Sequence, residues 1–312
     1  MSRLRIPLVS ASRVDSATGY LARSDLQAPP TRWDSTRVIS VPHYQDISEA
    51  LHFITQELYK WQQQTSNFHR EVTVYIFTDV CHEWGDALFE ALDKEFRFRK
   101  TWDSQAQTLS LKMPIEGHDI TQKWVINSVV NWMNDGIISK EEWKALKVGF
   151  GTTLKLPMAP FPNSQKEPDI YIRPYNSDSK FLPPIAFEVG WSVPAQKLED
   201  DVRILLEGGN GHIRAVIVVD WCLQNDGVTV TGKVDLWGRG SDGQPVHEKS
   251  EDIYPVPTLL RGQVQRFEFT LDDVFTNTLR PEQDPTTIVY FDVEHLREEA
   301  EKVFKELKLK TA

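Results

Sequence analysis

The chain has 312 residues, of which 40% are hydrophobic and 26% charged, and its formal net charge is −10. That is enough apolar material for one large core or two small ones, and the acidic balance excludes a surface that is basic all over; a nucleic-acid partner would need a local basic patch or a metal ion. The two cysteines, Cys81 and Cys222, stand in no CxxC pattern, which excludes a structural zinc motif and a disulfide framework.

The N-terminal residues carry no long apolar h-region, and no stretch approaches the roughly 18 uncharged apolar residues of a membrane span. The expectation is an intracellular protein, not secreted and without a membrane partner. Residues 1–44 contain Pro29, Pro30 and Pro42 and little periodicity, and read as an N-terminal arm that is partly disordered. A helix follows over 46–64, with Leu51, Ile54, Leu58 and Trp61 at helical spacing and Asp46 or Ser48 as cap. EVTVYIFTDV (71–80) reads as a strand and 81–96 as a helix. A hairpin is expected from 96–102 and 107–113 around Asp103-Ser104.

Residues 117–136 read as a helix with an apolar stripe of Ile120, Trp124, Val125, Val129 and Trp132, stopped by Gly136. Ser139 and Glu142 form a capping box at the head of a short helix. Four strands are predicted at 152–157, 169–174, 183–190 and 212–222, with a helix over 194–209 between the last two. IAFEV and AVIVV, joined by an amphipathic helix, have the pattern of a βαβ crossover. Alternating residues after 225 predict β hairpins, and a charged helix over about 292–309 ends the chain.

Two carboxylates stand out. Glu188 lies in an apolar strand, where an unpaired charge is costly, and Asp169 opens the strand before it. If the two strands pair as a hairpin, both side chains can share a face, and a divalent cation would relieve their repulsion. Such an ion activates water and stabilises charge on a phosphoryl oxygen. Asp200 and Asp201 read as solvated helix positions, and Trp191 and Trp221 as core residues.

The order KEPDIYIRP, a loop, PPIAFEVGWS, a helix from PAQKLEDDVR, then IRAVIVVDW resembles the PD-(D/E)XK, restriction-endonuclease-like superfamily over about 106–222. The resemblance implies Asp169 and Glu188 as ligands of Mg²⁺ or Mn²⁺, with one more group, Glu116, His118 or Asp119, reaching the site from the start of the preceding helix. The family's lysine, two residues after the glutamate, is Gly190 here. Lys197 and Arg203 on the following helix are the replacements the resemblance suggests, although a guanidinium stays protonated and cannot act as a base.

The expected fold is α/β (α+β): a restriction-endonuclease-like mixed central sheet flanked by helices. It divides into the 1–44 arm, a 45–105 helical and β extension, the 106–222 core, and a 223–312 extension of β hairpins and a terminal helix. The expected function is divalent-metal-dependent hydrolysis of phosphodiester bonds in DNA or RNA. The alternative is a catalytically inactive nuclease fold acting as a binding or interaction module.

Overall fold

The computed structural model describes residues 35–64, 73–175, 182–258 and 262–312. In chain order the elements are β1 (Thr36–Ser40), α1 (Ile47–Gln64), β2 (Val74–Thr78), α2 (Gly85–Leu92), β3 (Arg99–Asp103), β4 (Thr108–Lys112), α3 (Glu116–Asn134), α4 (Lys140–Ala145), β5 (Leu146–Gly149), β6 (Leu154–Leu156), β7 (Ser164–Lys166), β8 (Ile170–Pro174), β9 (Ile185–Trp191), α5 (Ala195–Gly208), β10 (Ala215–Leu223), β11 (Thr229–Arg239), β12 (Pro245–Tyr254), β13 (Arg266–Thr270), α6 (Leu271–Phe275), β14 (Ile288–Asp292), α7 (Val293–Glu306) and β15 (Lys310–Thr311). The fold is mixed α/β. One sheet runs β1-β2-β4-β3-β7-β6 and a second runs β12-β11-β10-β9-β8-β5, with β15 against β11; β13 and β14 pair separately.

Local chemistry explains many of the boundaries. Asp46 accepts from the Ser48 backbone N–H at 2.6 Å and starts α1. Asp103 turns the β3–β4 hairpin by accepting from the Gln105 and Ala106 N–H groups, both at 2.9 Å. Ser139 accepts from the Glu142 N–H at 3.1 Å, and the Glu142 side chain returns the bond, which completes the expected capping box. Gly136 follows α3 with φ of 72°, a conformation that suits glycine.

β8 and β9 pair antiparallel, and β9-α5-β10 is a parallel crossover, both as expected. Three readings differ. The expected 1–44 arm contains strand β1, a parallel edge partner of β2; the rest of that arm, to residue 34, and the Trp61 side chain lie outside the described residues. β5 takes residues that the sequence assigns to the end of a short helix, because they find β8 as a partner. β7 (SQK) is too short and polar to be visible as a strand, and forms by pairing with β3 and β6.

Strand pairing also crosses the expected domain boundaries. The β3–β4 hairpin straddles 105/106, and the antiparallel β10–β11 pair straddles 222/223. Alternation along β9 and β10 divides the core. Phe187, Val189, Ile217 and Val219 face the layer of α3 and α7, whereas Ala186, Val216 and Val218 face α5 and the first sheet. Trp191 and Trp221 are buried in the α3–α7 layer, as their core assignment requires. Residues 167–169 carry the chain from β7 in the first sheet to β8 in the second.

Candidate functional site

In the β8–β9 register Ile170 pairs with Phe187. One step further places Asp169 opposite Glu188, on the face that also carries Ala186 and looks toward α5. The two carboxylates converge on one cation, and it comes from the other sheet. Lys112, the last residue of β4, sets its Nζ 2.9 Å from Asp169 Oδ2 and 2.8 Å from Glu188 Oε2. Asp169 Oδ2 also accepts the Val189 N–H at 2.8 Å, so the backbone of the partner strand holds it in place.

The cluster continues. Lys166 Nζ lies 3.0 Å from Glu188 Oε1 and 2.7 Å from Asp201 Oδ1. Lys197 Nζ lies 2.7 Å from the same Asp201 oxygen, one helical turn away. Three ammonium groups thus meet three carboxylates, and the cluster is formally neutral. The side chains of Asp169, Glu188, Lys166 and Asp201 are at most 2% exposed. Such a buried ionic network seldom adds net stability over an apolar core, because desolvation offsets the Coulomb gain.

Electrostatics follow the geometry. Burial disfavours the Lys112 ammonium, but Asp169 and Glu188 outweigh it and keep its pKa above the ordinary lysine value. Burial also opposes the Asp169 carboxylate, yet His118 and Lys112 hold it at about 2. Burial pushes the Glu188 carboxyl up against the pull of Lys112 and Lys166. The Lys197 amine is lowered by burial, with Asp201 acting in the other direction.

Among the residues the sequence singled out, Asp169 and Glu188 are brought together as expected. Of the three candidates at the head of α3, His118 is the one that reaches the centre: its Nε2 lies 3.5 Å from Asp169 Oδ1. The Ile115 N–H donates to His118 Nδ1 at 3.3 Å, so the neutral ring carries its proton on Nε2, facing the carboxylate. Burial lowers the His118 pKa to about 4, which favours that neutral ring. In this tautomer His118 steadies Asp169 and offers no lone pair to a metal. Glu116 and the exposed Asp119 line a neighbouring cavity.

Three assignments change. Lys197 joins the cluster only through Asp201, and Arg203 does not join it. Arg203 Nη1 donates to Gln105 Oε1 at 3.3 Å, and its guanidinium lies 5.1 Å from the Phe161 ring centroid. Two residues along a helix turn the side chain through about 200°, so Arg203 cannot share the Asp201 face. Asp201, expected to be solvated, is instead 1% exposed and is the second acidic hub.

Lys112 and Lys166 escaped the sequence reading. Lys166 stands three residues before Asp169, in KEPD, and that proximity was the available signal. Lys112 had none, since its partners are 57 and 76 residues away. Gly190, two residues after Glu188, has no room for a side chain. A Cβ there would meet Leu198 Cδ1 at 2.9 Å and Asp220 Oδ1 at 3.3 Å, so α5 packs where a side chain would start.

The donor chemistry is compatible with a hard divalent cation. Asp169 and Glu188 are opposed carboxylates; Asp169 Oδ1 is buried without a hydrogen bond, whereas Glu188 Oε1 faces the Lys166 ammonium at 3.0 Å. An ion bridging the pair through the other two oxygens would compete with the Lys112 ammonium for the same position. No described helix is long and apolar enough to cross a membrane. No model of a known protein family matches the chain, and no curated protein matches it in sequence.

Proposed function

We propose that the chain is a restriction-endonuclease-like protein that hydrolyses phosphodiester bonds in DNA or RNA in an intracellular setting, with Asp169, Glu188, Lys112 and Lys166 as its working residues. The single observation that carries this reading is the convergence of Asp169 and Glu188, from adjacent strands, on one lysine ammonium. It is the carboxylate–carboxylate–lysine set of that superfamily, with the lysine delivered from β4 instead of from two residues after the glutamate.

Asp169 and Glu188 would hold Mg²⁺ or Mn²⁺, which would supply an activated water and charge stabilisation at phosphorus. The protein groups have their own tasks. The Val189 N–H and His118 fix the Asp169 carboxylate. Lys112 and Lys166 present positive charge where a phosphoryl group gains negative charge. Asp201 and Lys197 hold Lys166 in position.

The test is cleavage of single- and double-stranded DNA and RNA with Mg²⁺ or Mn²⁺, comparing wild type with Asp169→Ala, Glu188→Ala and Lys112→Met. We expect activity in the wild type and its loss in each variant. Equal activity in wild type and both carboxylate variants would end the reading.

One observation favours the alternative of an inactive binding module. The three lysines already neutralise the three carboxylates, so the cluster is electrically complete without a metal ion. On that reading wild type binds nucleic acid or a partner and cleaves nothing.

A further inference from the structure

Beside the carboxylate pair lies a cavity of about 270 Å³, lined by Arg97, Arg99, Ile115, Glu116, His118 and Gln122 among others. Two features join it to the cluster. His118 is shared: it lines the cavity, and its Nε2 lies 3.5 Å from Asp169 Oδ1. Arg99 is the direct cross-strand partner of Lys112 in the β3–β4 hairpin, so their side chains stand side by side on one face.

The two arginines carry charge that the described residues leave uncompensated. Among those residues no ion pair or hydrogen bond involves the side chain of Arg97 or Arg99, although most other described arginines have one. Arg97 is exposed and Arg99 half-buried. Two free guanidinium forks in a concavity are suited to a tetrahedral oxyanion, which they can grip in bidentate fashion. The first turn of the 19-residue helix α3 also lines the cavity, and its dipole adds to the positive potential. His118, buried and with Nε2 turned to Asp169, stands at the junction with the carboxylate pair.

Size narrows the ligand. Pockets that enclose a whole small molecule usually span roughly 300–1,000 Å³. This cavity is smaller, and fits a group belonging to a longer molecule that continues outside it. Glu116 and Asp119 oppose a bare dianion, but as acceptors they suit the sugar-hydroxyl and base-amino donors that flank a phosphate in a nucleotide.

We infer that the Arg97–Arg99 cavity is a phosphate subsite that seats one backbone or terminal phosphate of a nucleic-acid strand beside the Asp169–Glu188 pair. The inference rests on the hydrolase reading for its substrate class and on the cavity for its ligand chemistry. It makes Arg97 and Arg99 binding residues, the cations of a cavity whose lining also carries Glu116 and Asp119.

The experiment measures binding in EDTA, so that no cleavage intervenes. Fluorescence anisotropy is read with labelled single- and double-stranded DNA and RNA, with and without a 5′-phosphate, and with inorganic phosphate as competitor. The proteins are full-length wild type, Arg97→Ala, Arg99→Lys and Arg97→Ala/Arg99→Ala. We expect the double variant to weaken binding by about tenfold or more and to lower the salt slope by about 1. Arg99→Lys, which keeps the charge and loses the fork, falls between. Arg97 is exposed, so Arg97→Ala decides the matter if the double variant fails to fold.

A preference for the 5′-phosphorylated strand assigns the subsite to a strand end; indifference to it assigns the subsite to an internal phosphate. Unchanged oligonucleotide binding in Arg97→Ala and the double variant overturns the subsite, even where Asp169→Ala still abolishes cleavage. Conversely, a wild type that neither cleaves nor binds an oligonucleotide, but binds inorganic phosphate through these arginines, removes the nucleic-acid reading and keeps the anion site.

Discussion

At the residue scale the central fact is that Lys112 Nζ touches two carboxylates from a different sheet. Replacing it by methionine keeps most of the volume and leaves Asp169 and Glu188 facing each other without their shared cation. Breaking a buried ion pair by removing one partner typically costs about 3–5 kcal/mol. We expect Lys112→Met to lower the urea midpoint by a corresponding amount. If the carboxylates take a divalent ion once the ammonium is gone, millimolar Mg²⁺ raises the melting temperature of Lys112→Met more than that of wild type, by mass action on the folded state. A variant as stable as wild type would mean that the cluster carries no strongly coupled charge at Lys112.

At the scale of elements, α5 and β9 fit so closely that the strand has no room for a side chain at Gly190. Its neighbours on that face are the Leu198 methyls, at 2.9 and 3.2 Å from an added Cβ. Gly190→Ala is therefore an overpacking change, for which about 1–3 kcal/mol of destabilisation is usual. Adding Leu198→Ala opens the space, so the double variant should be less destabilised than the sum of the two single ones. A double-mutant cycle in urea reads that coupling, and strict additivity would place Leu198 out of contact. The same packing bears on the site: α5 carries Asp201 and Lys197, so a shift of the helix moves Lys166 away from Glu188.

At the scale of the whole molecule, the site exists only where two sheets come together. Glu188 belongs to the second sheet and Asp169 immediately precedes its strand β8, whereas Lys112 and Lys166 belong to the first. A fragment of residues 106–222 would strip β4 of β3 and β2, and β10 of β11. Its unpaired strand edges and the exposed faces beneath α7 leave too little burial to offset chain entropy. We expect this fragment to show no cooperative urea transition by circular dichroism, whereas residues 35–312 do. A sigmoidal unfolding curve for 106–222 would establish the core as an autonomous domain and contradict the pairing argument.

The amino-acid pattern alone determined the elements whose causes are local: the amphipathic stripe of α3, the Ser139–Glu142 box, the Asp103 turn and the β9-α5-β10 crossover. It also singled out Asp169 and Glu188, because a charge inside an apolar strand is conspicuous wherever the strand lies. Tertiary structure decided which cations answer them. A lysine at a strand end, such as Lys112, looks solvated until another sheet closes over it, and Asp201 looks like an exposed helix position until Lys166 arrives. Strands β5 and β7 likewise exist because partners reach them, not because their residues favour extension. Periodicity and capping act over a few residues, but charge pairing and strand pairing act through space, and the chain must fold before the distances that govern them exist.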